Sequence, residues 1–118
     1  MKTRKELIEE YKQTKPPMGV FQIKNEVNGK IWLEGSTDMN AKWNRHRLQL
    51  NFGNHPNADL QSDWKTFGES QFTFSVIDAI IPKEGVNMDY AKEIKMLETM
   101  YVDEMQPFGD HGYNKKKV

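Results

Sequence analysis

Apolar residues along this chain recur first at every second position and then at every third or fourth, and those two periods predict most of its elements. In Val20-Phe21-Gln22-Ile23-Lys24, Phe21 and Ile23 fall on one face of a strand, because successive strand side chains point to opposite sides. Lys30-Ile31-Trp32-Leu33-Glu34 repeats the period and predicts the return strand. Between them, Asn28-Gly29 supplies residues that tolerate positive φ. The pair predicts an antiparallel hairpin whose connection, starting at Asn25, is longer than a two-residue turn. The period then lengthens: Met39, Trp43, His46 and Leu50 make one face of a helix, with Ser36, Thr37 and Asp38 as candidate caps.

The rest of the chain follows the same logic. Pro56 suits the first turn of a second helix running through Leu60, Trp64 and Phe67, and Gly68 ends it. From Gln71 to Asp78, Phe72, Phe74 and Val76 alternate with Thr73 and Ser75 and predict a third strand, terminated by Ile80-Ile81-Pro82. After a loop over 83–88, Asp89 caps a helix with Ile94, Leu97, Tyr101 and Met105 on one face, and Glu98 at the edge of that face. Upstream of the hairpin, Thr3 and Glu6 have capping-box spacing before Leu7, Ile8 and Tyr11. They predict a flanking helix over 1–15, stopped by Pro16-Pro17. The expected architecture is α+β: a small three-stranded antiparallel sheet flanked by helices, over residues 18–114, with a frayed basic tail at 115–118.

Composition narrows the class without naming a ligand. At 118 residues the chain is one domain, and with no cysteine it has neither a disulfide framework nor a thiolate metal site. No window approaches the apolar run of a membrane span, so the expected compartment is the cytoplasm, with no membrane partner. Seventeen basic and seventeen acidic residues cancel, so any attraction to a polyanion must come from a local patch. The densest such patch is Lys42, Arg45 and Arg47 on the first long helix. Lys42, Arg45 and Gln49 form a stripe beside its buried face, which is either a solvated surface or a phosphate-facing one.

The residues around the hairpin also carry a family resemblance. Gly19-Val20-Phe21, then Asn25 and Asn28-Gly29-Lys30, then Trp32-Leu33-Glu34 and Asn44-Arg45-His46 resemble the signature region of the GIY-YIG nuclease domain. Gly53 to Asn57, Leu60-Gln61, Trp64, Phe67-Gly68, Phe72, Phe74, Glu98 and Gly112-Tyr113-Asn114 continue the likeness in the family's order. The resemblance implies a nuclease fold acting on nucleic acid, DNA rather than RNA, with a divalent cation, Mg²⁺, as cofactor. It places the catalytic positions at Phe21, Trp32, Lys42, Arg45, His46 and Glu98 and the metal at Glu98; the basic cluster beside the family's phosphate site adds expected nucleic-acid contacts at Lys42, Arg45 and Arg47, with His55 in the loop beyond.

Several of those positions are substituted. Phe21 stands for a tyrosine and has no hydroxyl, and Trp32 stands for a second tyrosine and can donate a hydrogen bond but not accept a proton. Lys42 stands for an arginine and loses its bidentate fork. Glu34 puts a carboxylate where the family keeps a small residue, either joining a metal site or pointing to solvent from a strand end. His46 and His55 are candidates to supply a missing base, and His46 equally fits a buried, hydrogen-bonded role. Three functions follow. The first is a nucleic-acid-binding nuclease-like domain with weak or lost cleavage; the second is a variant Mg²⁺-dependent endonuclease; the third is a protein-interaction or structural module on the same fold.

Overall fold

The computed structural model describes residues 3, 17–81 and 89–115. The expected flanking helix over 1–15, the loop over 83–88, Pro82 and the last three tail residues lie outside the described residues. The described elements run in chain order β1 (Met18–Asn25), β2 (Ile31–Ser36), α1 (Met39–Phe52), α2 (Ala58–Phe67), β3 (Phe72–Ile80) and α3 (Tyr90–Met105), with one-turn 3₁₀ segments at Glu69–Gln71 and Gly109–His111. The sheet is antiparallel throughout and ordered β2-β1-β3. The α+β expectation therefore holds.

Each connection has a local cause. Asn25 Oδ1 accepts from the Val27 amide at 2.9 Å and Asn28 Oδ1 from the Lys30 amide at 2.9 Å, while Gly29 takes φ +79°. These side-chain turns set the hairpin register, Phe21 opposite Glu34 and Ile23 opposite Trp32. Asp38 caps α1 through the Ala41 amide at 3.0 Å, and Gly53 ends the helix in the left-handed conformation. α2 begins later than Pro56 suggests. Asn57 is its cap, accepting from the Leu60 amide at 3.0 Å, so the proline sits just before the helix.

Register assigns the two faces of the sheet. Phe21, Ile23, Trp32, Glu34, Phe74 and Val76 share the face covered by α1 and α2, where Met39, Leu50, Leu60, Trp64 and Phe72 complete the core. Trp43 stacks on Phe74 at 5.6 Å between centroids, as its place on the helical face predicts. α3 lies against β1 and β2 on the other face. A register shift opposite Val20/Phe21 leaves Ile77 as an extra residue in β3, which moves Asp78 to the α3 face, where it accepts from Tyr101 Oη at 2.8 Å. Gly19 permits the close approach beside this bulge: its φ is +147°, and a Cβ there would lie 2.1 Å from the Asp78 carbonyl oxygen.

The chain end closes the outer edge of β2. The Tyr113 amide donates to the Ile31 carbonyl at 2.8 Å. Asn114 then uses both ends of its side-chain amide on Leu33, accepting from its N–H and donating to its C=O, each at 2.8 Å. A side chain thus substitutes for a fourth strand on an edge that would otherwise present unpaired backbone groups.

Candidate active-site cleft

The α1 face of β2 opens into a cleft of about 320 Å³ between β2, α1 and the α1–α2 loop. β2 contributes Trp32 and Glu34, two residues apart and so on one face. α1 contributes Lys42, Arg45 and His46 at spacings that bring them to one side of the helix, and the loop contributes His55. Four of the six expected catalytic positions, Trp32, Lys42, Arg45 and His46, therefore meet in one place.

The other two do not. Phe21 is fully buried, 5.3 Å from Phe74 and 6.3 Å from His46 between ring centroids, and belongs to the core. Glu98 lines a different cleft, on the α3 side, because it approaches β2 from the opposite face. Its Oε2 accepts from the Gly35 amide at 2.8 Å and its Oε1 faces Lys95 Nζ at 3.0 Å. Gly35 leaves room for this approach, since a Cβ there would meet Ile94 at 2.6 Å and Glu98 Oε2 at 3.3 Å. Among the expected nucleic-acid contacts, His55 joins Lys42 and Arg45 in the cleft. Arg47 is turned away, with Nε 3.6 Å from Glu69 and its guanidinium over the Trp43 ring at 5.9 Å.

Glu34 does not point to solvent. Its Oε1 accepts from Trp32 Nε1 at 2.9 Å and is 2.6 Å from His46 Nε2, while its Oε2 lies 3.4 Å from Lys42 Nζ. His46 Nδ1 is 2.8 Å from His55 Nε2, and His55 Nδ1 accepts from the Asn57 amide at 3.0 Å. The backbone donor fixes the tautomers of the neutral rings. His55 accepts at Nδ1 and so donates from Nε2, and His46 accepts at Nδ1 and so donates from Nε2 to Glu34. Gln49, Pro56, Asn57 and Lys115 complete the lining; none of these was among the expected site residues, although the α2 cap position of Asn57 is what anchors the relay.

Electrostatics follow from that chain. Burial works to raise the Glu34 carboxyl, but hydrogen bonds from His46 and Trp32, with the positive charges of His46 when protonated and of Lys42, outweigh it and hold it below its ordinary value. Burial, reinforced by the charge His46 would carry, holds His55 below the ordinary imidazole value. Both nitrogens of His46 are engaged, so it cannot take a proton from a water in the cleft without giving up a partner. The one signal for Glu34 in the sequence was its phase: two residues after Trp32, it must share that side chain's face.

Comparison with known proteins agrees with this fold. Two solved structures of the catalytic domain of the intron endonuclease I-TevI, one of them a mutant, superpose with a TM-score of 0.68 each. One is 28% identical, covering 85% of this chain and 99% of that one; the other is 26% identical, covering 83% and 92%. This chain is a member of the GIY-YIG superfamily. A curated relative, intron-associated endonuclease 1 of enterobacteria phage T4, is 32% identical over 62 residues, 52% of this chain. The match spans a quarter of that relative's length. No protein-family model matches the chain.

Nucleases of the superfamily generally depend on a divalent metal. The described residues offer no multi-ligand cage for one. Among the described residues, no three His, Cys, Asp or Glu side chains converge on a common point. A single carboxylate can hold a largely hydrated Mg²⁺ shared with substrate phosphate, and Glu98, whose Oε1 is 3.0 Å from Lys95 Nζ, is the carboxylate that would hold it. The GIY-YIG domain's own side chains in the cleft can bind an anion through Lys42 and Arg45 and accept a proton only at Glu34.

Proposed function

We propose that this GIY-YIG nuclease-like domain binds nucleic acid, DNA in particular, and that phosphodiester cleavage of the family type is weak or lost. One observation carries the reading. The cleft presents basic side chains at Lys42, Arg45 and Lys115, yet none of its lining residues has a hydroxyl, and the Glu34 carboxylate stands among the groups that would receive a phosphate. Binding needs only the positive rim. Cleavage needs positioned acid–base help and a charge clamp, and losing such help typically costs ~10²–10⁴-fold in rate.

A duplex oligonucleotide titrated at several salt concentrations tests the binding. The double variant Lys42→Ala/Arg45→Ala is expected to flatten the plot of log affinity against log salt by about one, for the phosphate that Arg45 no longer neutralises, since Lys42 is already paired with Glu34. An unchanged affinity and slope would sink the binding half of the proposal. For cleavage, incubation with Mg²⁺ or Mn²⁺ is expected to give product barely above background. Brisk cutting that Glu98→Ala abolishes would overturn the other half.

A further inference from the structure

The cleft is built for a different part of a nucleic acid than the one the fold suggests. A backbone phosphate brings a full negative charge and no hydrogen-bond donor. At the centre of this cleft it would meet Glu34, which stays ionised because Trp32 and His46 both donate to its Oε1. Lys42, 3.4 Å from Oε2, neutralises that carboxylate and has correspondingly less charge to offer an incoming anion. The interior of the cleft is thus a carboxylate oxygen and an ammonium side by side, an acceptor next to a donor with no net charge between them.

That pair matches a nucleobase edge. Oε1 is saturated by its two donors, whereas Oε2 faces only Lys42 and keeps a lone pair for one further N–H. Cytosine and adenine each carry an exocyclic amino donor beside a ring-nitrogen acceptor, and acidic side chains accept from the cytosine amino group in direct readout. The remaining features agree. About 320 Å³ lies within the usual ~300–1,000 Å³ of small-ligand sites, and Trp32 and Pro56 line the wall as apolar surfaces for a planar ring. Arg45, which among the described residues has no carboxylate partner, lines the same cleft and can reach the phosphates flanking a base that has left its stack.

We propose, building on the nucleic-acid-binding reading above, that this cleft takes an unpaired base whose exocyclic amino group stands beside a ring-nitrogen acceptor on its Watson–Crick edge, cytosine or adenine, and that Glu34 is the residue that selects it. The relay from the Asn57 amide through His55 and His46 positions Glu34 by holding Oε1, so that Oε2 is always the oxygen presented.

The test uses four labelled DNA hairpins identical except at one bulged position, which holds cytosine, adenine, thymine or an abasic sugar, with a fully paired duplex alongside. The whole chain is expected to bind the cytosine and adenine bulges on the order of tenfold more tightly than the thymine and abasic ones at fixed salt. Glu34→Gln keeps the side chain's shape. Trp32 and His46 hold the amide oxygen in the Oε1 place, so the amide nitrogen replaces Oε2 and offers a donor. The preference should then disappear or turn toward thymine. Equal affinity for all four bulges, or an amino-base preference that survives Glu34→Gln, would overturn the inference while leaving salt-dependent binding intact. Absence of binding to every probe, the duplex included, would overturn the nucleic-acid reading on which it rests.

Discussion

Two polar networks lie on the same face of the GIY-YIG sheet, and they have opposite relations to solvent. In the first, Asn25 Nδ2 donates to Tyr113 Oη at 3.1 Å, and Tyr113 Oη donates to Asp63 Oδ2 at 2.7 Å. Asn25 and Tyr113 are sealed, and burial together with the neighbouring Asp63 pushes the Tyr113 phenol far above its ordinary value. In the second, the buried pair His46 and His55 passes its hydrogen bonds outward to Glu34, whose side chain retains 17% exposure at the cleft. A sealed network joins elements distant in sequence, here 88 residues apart between Asn25 and Tyr113, and serves folding. An open one fixes the orientation of a single carboxylate at the cleft, the group on which the proposed base selection rests.

The largest test of that contrast is Tyr113→Ala. It removes a ring only 2% exposed and leaves Asn25 and Asp63 without their common partner, so the unfolding free energy is expected to fall by ~3–5 kcal/mol in a denaturant titration. A loss no larger than that of Glu34→Gln would erase the distinction between the networks, since the latter keeps both donors to Oε1 and is expected to stay within ~1 kcal/mol. Asn114→Ala comes next. It strips both hydrogen bonds from Leu33 and reopens the edge of β2, at an expected ~1–3 kcal/mol, and its effect on duplex affinity should be small because Asn114 does not line the Glu34 cleft.

Acid distinguishes the networks more gently. His55 is depressed in the folded protein, so between its folded value and the ordinary 6.5 the unfolded chain binds a proton that the folded one refuses. Its contribution is complete above 6.5 and is lost as pH falls through the folded value. Glu34 follows the same sign in a lower window, starting at its ordinary 4.5. Thermal melts of the wild type should therefore begin to fall below pH 6.5, and His55→Gln should remove that first decline while leaving the one below 4.5. Identical pH profiles for the two proteins would place the upper transition elsewhere. The smallest expected effect is that of Arg47→Ala on binding. With Arg47 held between Glu69 and Trp43, its loss should change duplex affinity much less than Arg45→Ala, measured side by side at low salt.

How much of this was legible beforehand depended on the range of the interaction involved. Strand alternation at Phe21 and Ile23, the Asn28-Gly29 reversal, the Met39–Trp43–His46–Leu50 face and the Asp38 and Asp89 caps are local properties, set by backbone sterics and side-chain period. The structure reproduces each of them. The stripe of Lys42 and Arg45 was legible for the same reason, as was the family likeness carried by residues in a fixed order.

Long-range pairing was not legible. The bulge at Ile77 interrupts the alternation of β3 and sends Asp78 to the α3 face, an outcome decided by how β1 and β3 meet and not by the sequence of either strand. Arg47 looked equivalent to Arg45 until Glu69, 22 positions along the chain, drew it aside, and Glu98 was expected beside Lys42 until its helix proved to lie across the sheet. Glu34 is the sharpest instance. The strand period alone placed it on the same face as Trp32, but whether a carboxylate there meets water, a metal or a histidine depends on where α1 and the loop carrying His55 come to rest. Only their packing put His46 2.6 Å away and closed the hydrogen-bond chain back to Asn57, because burying a charged group is tolerable only where such partners already converge.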